Sequence, residues 1–102
     1  MDPEVLSKLQ RIAEAGIGML PVAELANHFI FTRDGMAVLV ERRGEGFGGI
    51  GSPGRITERG FEPLISGGGR EAFVFKGGEE AATAAEADAA RRLLADLRPA
   101  IE

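Results

Sequence analysis

A chain of 102 residues with a net charge of -4 and no cysteine is long enough to fold around one core without staples, and it excludes disulfide frameworks, thiol catalysis and cysteine-ligated metals. Phosphate binding draws on clustered Lys and Arg, so the acidic balance argues against a nucleic acid or an anionic membrane as partner. The acidity sits at the ends: residues 1–27 hold two basic and four acidic side chains, residues 79–102 three and six, and residues 28–78 seven and six.

The N-terminal stretch MDPEVLSKLQRIAEAG mixes charged and apolar residues where a signal peptide would be continuously apolar, and no later apolar run approaches the ~20 residues of a spanning helix. With no cysteine to protect, the expectation is a cytoplasmic protein, one α+β domain over residues 1–102. Asp2 and Pro3 form a helix start, because the carboxylate accepts from free backbone N–H groups and proline suits the first helical position. Val5, Leu6, Leu9, Ile12 and Ala13 then recur at helical spacing, and Gly16 is placed to end the helix. Pro21 opens a weaker second helical turn through PVAELAN.

HFIFTRDGMAVLVERR reads as a hairpin whose Asp34-Gly35 dipeptide tolerates the positive φ angles of a two-residue turn. That turn pairs Arg33 with Met36 and, five residues back, His28 with Glu41. Phe29, Phe31, Met36, Val38 and Val40 then share one face, and Ile30, Ala37 and Leu39 share the other. Both faces are apolar, so the hairpin is expected to be covered on both sides, by helices or by a partner chain.

Beyond it, GEGFGGIGSPG (residues 44–54) reads as a connector. Arg55–Thr57 and FEPLIS (61–66) read as short strands, with Pro63 confining the latter to an edge or bulge. Gly67–Gly69 and REAFVFK complete a second hairpin. The final helix carries a Thr83–Glu86 capping box or starts one turn earlier at Glu79, pairs Asp88 with Arg92, and stops at Pro99. The fold class expected is a small antiparallel sheet, three to five strands and meander-like, flanked by N-terminal and C-terminal helices.

The glycine segment matches GxGxxG in three registers, starting at Gly44, Gly46 and Gly49, and GEGFGGI resembles a protein-kinase glycine-rich loop over seven residues. A dinucleotide site needs a helix after the glycines, whereas SPGRITERGFEPLI has no helical spacing; no Gly-Lys-Ser/Thr follows, and VAIK, HRD and DFG are missing. Ser52 fails the GxSxG elbow because Ile50 stands where glycine is required. His28 opposite Glu41 is a cross-strand polar pair with no nucleophile beside it. Glu79, Glu80, Glu86 and Asp88 surround a helix N-terminus, which favours acidic residues without a metal. Neither catalytic residues, metal ligands nor a cofactor are expected. Arg42, Arg43, Arg55, Arg59 and Arg70 flank the glycine runs, interleaved with glutamates. The leading expectation is a non-enzymatic interaction module, pairing with itself as a homodimer or with another protein. The alternative is a site for a small acidic, phosphate-containing ligand built from Arg42, Arg43, Gly46, Gly48, Gly49, Gly51 and Arg55.

Overall fold

A computed structural model describes residues 2–20 and 27–102. The elements are α1 (Pro3–Glu14), β1 (Gly18–Leu20), β2 (His28–Arg33), β3 (Met36–Arg43), β4 (Gly46–Thr57), β5 (Gly60–Gly67), β6 (Arg70–Phe75), β7 (Gly78–Ala81) and α2 (Ala84–Ile101). The seven strands form one antiparallel meander in the order β1-β2-β3-β4-β5-β6-β7. The architecture is α+β, but the expectation of three to five strands is wrong. Two strands account for the difference: β1 has only three residues and β7 is GEEA with two adjacent glutamates. In addition, the strand expected at Arg55–Thr57 extends back through the glycine segment as β4, so that segment is not a connector. The PVAELAN turn falls on residues outside those described, apart from Asn27.

The helix starts follow their sequence signals. Asp2 accepts from the Glu4 N–H at 2.8 Å, and Thr83 and Glu86 form the reciprocal capping box at 2.9 and 3.1 Å. Gly16, at φ 77°, takes the left-handed position after α1. Two details of α2 differ from expectation. Pro99 lies inside the last turn rather than ending it. Asp88 pairs with Arg91 at 2.8 Å, not with Arg92, because Arg91 also reaches Glu71 of β6 at 2.7 Å and so faces the sheet.

The β2–β3 register runs from Arg33↔Met36 to His28↔Glu41 as its turn dictates, with Asp34 and Gly35 at φ 54° and 79°. Next to it, β4 carries two bulges. Gly48 and Gly49 together oppose Glu41, and Gly51 and Ser52 together oppose Leu39, between the pairs Arg42↔Phe47, Val40↔Ile50 and Val38↔Pro53. A Cβ on Gly48 would stand 3.1 Å from the Glu41 carboxylate, and one on Gly51 3.1 Å from the Leu39 carbonyl oxygen. The glycines are thus where the bulged strand crowds its neighbour. The bulges also place Phe47, Ile50 and Pro53 on one face at a spacing of three.

The sheet changes partners within single strands. β4 pairs with β3 through Gly54 and with β5 from Gly54 to Thr57; β5 pairs with β4 through Pro63 and with β6 from Leu64 onward. Pro63 therefore sits where one ladder stops and the next begins, the place in a sheet that tolerates a residue without N–H. It is at neither a sheet edge nor a bulge.

Both helices pack on one face. Ile12 of α1, Ala87, Ala90, Leu93 and Leu97 of α2, and Phe31, Met36, Val38, Val40, Leu64 and Phe73 of the sheet form the buried core. Phe29, Phe31 and Phe47 meet at centroid distances of 5.0–6.1 Å, within the range of favourable ring contacts. Among the described residues no helix is long and apolar enough to cross a membrane.

Candidate interaction surface

Strand alternation sends every second residue to the face opposite the helices. The registers line these residues up in rows: Leu20, Ile30 and Leu39; Thr32, Ala37, Gly54 and Pro63; Ile56 with Phe61; Ile65 with Ala72; and Val74. None of them belongs to the core that the helices cover. Ile30, Ala37 and Ala72 are buried, Leu39, Ile56, Phe61, Pro63 and Val74 are half-buried, and Leu20 and Ile65 are 41% and 50% exposed. The face has relief. A cleft of about 250 Å³ opens beside the β2–β3 turn, lined by Leu20, Thr32, Met36, Ala37 and Ile56 with the turn residues Arg33, Asp34 and Gly35. At Gly54 the relief is closed off: a Cβ there would collide with the Glu62 carbonyl oxygen and stand 2.8 Å from the Phe61 ring.

The centre of this face carries no charge. Its rim does, and two rim pairs close within the chain: Arg43 with Glu41 at 3.1 Å and Arg70 with Glu79 at 3.3 Å. His28 faces Glu41 in the register, while the Glu41 carboxylate takes its hydrogen bond from Arg43.

The structure separates the arginines expected near the glycine segment. Arg55 and Arg59 lie on the helix-covered side, where they enclose Glu62. This carboxylate, 1% exposed, accepts from Arg55 Nε at 2.8 Å, Thr57 Oγ1 at 2.8 Å and Arg59 Nε at 2.6 Å. Arg59 contributes most, and with Arg55 and Thr57 it outweighs the opposing effect of burial, bringing the Glu62 carboxyl down to about 2. Arg55 also donates to Glu80 of β7 at 3.2 Å and lies 4.2 Å over the Phe73 ring, and Arg59 lies 3.9 Å over Phe75. Desolvation opposes the Arg55 charge, but Glu62 and Glu80 overcome it and raise the arginine's pKa.

Arg42 stands elsewhere, 4.6 Å over the Phe29 ring, beside a cleft of about 380 Å³ lined by Phe29, Arg42, Gly44 and Glu45. Gly46, Gly48, Gly49 and Gly51 are strung along β4. Their N–H groups follow a strand instead of converging on a point near Arg42 or Arg55. Among the described residues no group of three or more His, Asp or Glu side chains is gathered to hold a metal.

Reading the sequence missed Glu62, although its signal was present. A turn at Glu58 and Arg59 pairs Arg55 with Glu62, seven residues apart. It did not single out Leu20, whose strand has three residues, nor Ile56 and Ile65, whose strands were expected but whose shared face follows only from the β4–β5 register. Comparison with protein-family models, with curated proteins and with solved structures yields no match.

Proposed function

We propose that the protein is a non-enzymatic interaction module that works as a homodimer, a second copy covering the helix-free face of the sheet. The observation that supports this most directly is the uncharged centre of that face, with Leu20 and Ile65 exposed. An apolar sheet face is stable when packed on another element, and contiguous apolar surface is where soluble proteins meet partners. A two-fold contact needs a patch that complements itself. Two rim pairs that already neutralise each other within the chain, Arg43 with Glu41 and Arg70 with Glu79, reduce the repulsion between two copies of this surface. The buried carboxylate supports the non-enzymatic part, since Glu62 is occupied by its own arginines and hydroxyl. Light scattering at micromolar concentration is expected to give twice 10.8 kDa; a mass of one chain removes the homodimer.

The cleft at Arg42 favours a second reading, a site for a small phosphate-containing ligand. The guanidinium is held over Phe29, and among the described residues it pairs with no carboxylate. Under this reading nucleoside di- and triphosphates raise the melting temperature and Arg42→Ala abolishes the rise. An unchanged melting temperature across the panel dismisses it.

A further inference from the structure

We infer that the homodimer is keyed by Ile65 of each copy entering the cleft between Leu20, Thr32, Ala37 and Ile56 of the other. The inference rests on the homodimer reading above and assigns its contacts. Among the described residues the helix-free face exposes two branched side chains, Leu20 and Ile65; Leu20 forms a wall of the cleft beside the β2–β3 turn, while Ile65 stands away from it. Ala37 and Pro63 lie in one cross-strand row two strands apart, and Ile65 is two residues beyond Pro63. Strand spacing and rise then put Ile65 roughly 12 Å from the floor of the cleft. Knob and hole on one surface, offset from each other, are the requirement for an isologous contact: a two-fold axis midway between them seats both knobs at once. The cleft walls include the methyl-bearing ends of Leu20, Thr32, Ala37 and Ile56, which suit an isoleucine, beside the turn residues Arg33, Asp34 and Gly35, and the Arg33 guanidinium is held by Asp96 at 2.8 Å. Charge agrees with the occupant. The path between knob and hole crosses Gly54 and Pro63 and no ionisable side chain, so docking buries no unpaired charge.

The test uses the full chain. Ile65→Arg places a charge in the partner's cleft and is expected to raise the dimer dissociation constant roughly 100-fold or more, as hot-spot losses do. Leu6→Arg, at an equally exposed position on α1, is expected to leave it unchanged. Circular dichroism verifies that each variant is folded. Because the chain has no cysteine, Ile56→Cys with Ile65→Cys gives an unambiguous cross-link. These positions are four residues apart along the β4–β5 pairing, too far to bridge within one chain, so mild oxidation of the double variant is expected to yield covalent dimers that neither single variant forms. A dimer that survives Ile65→Arg, or a double variant that does not cross-link, overturns the keyed contact and leaves the homodimer standing. A monomeric native protein overturns both.

Discussion

At the scale of residues, the strongest interactions surround Glu62. A carboxylate removed from water is costly unless hydrogen bonds and opposite charges replace its hydration, and two arginines and a threonine do so here. Its pKa falls from an ordinary 4.5 to about 2 on folding. The unfolded chain therefore binds the proton more readily, and the stability that Glu62 contributes is complete above pH 4.5 and lost as the pH falls from there toward 2. Glu62→Gln is expected to lower the melting temperature at pH 7 and to flatten its decline across that window, as measured by calorimetry from pH 7 to pH 2. A parallel decline in both proteins would assign the acid sensitivity to other carboxylates. Glu71 is the first alternative, held low by the hydrogen bond from Arg91. None of this was visible in a strand read as FEPLIS, because a lone glutamate among apolar residues shows its burial only once the turn before it is placed.

At the scale of elements, legibility followed periodicity. The β2–β3 hairpin was readable to the register of each pair, since Asp34-Gly35 fixes the turn and with it every pair that follows. The two helices were readable from caps and apolar spacing. β4 was not, because its two bulges turn a period of two into Phe47, Ile50 and Pro53 at a period of three, and its glycines look like a loop when no neighbour is known. Pro99 misled in the opposite direction: the ring can occupy the last turn of α2 where the helix is about to end in any case. The capping box carries the prediction at this scale. Thr83→Ala removes the hydroxyl that accepts from the Glu86 N–H and is expected to destabilise the protein by about 1 kcal/mol in urea unfolding. No change would mean that tertiary contacts alone hold the first turn of α2. The candidate surface was only half legible: the apolar second face of the hairpin was readable, whereas the placing of Ile56 and Ile65 on that same face depends on the β3–β4 and β4–β5 registers, which the bulges of β4 hide.

At the scale of the molecule, the asymmetry between the two faces organises everything else. α1 and α2 share one side with the buried aromatic and aliphatic core, and among the described residues the opposite side keeps apolar rows without a helix. The change of partners along β5 gives that arrangement a mechanical meaning. Two ladders meet at Pro63 and Leu64, with no hydrogen bond from the proline to stiffen the joint. α2 crosses the joint on the core side, tied to β2 through Arg33 and Asp96 at 2.8 Å and to β6 through Arg91 and Glu71 at 2.7 Å. In the keyed dimer, Ile65 belongs to the second ladder and the cleft that receives it to the first ladder of the other copy. In that proposed pairing each copy would splint its partner's joint from the side opposite α2, so pairing and rigidity of the sheet would rise and fall together.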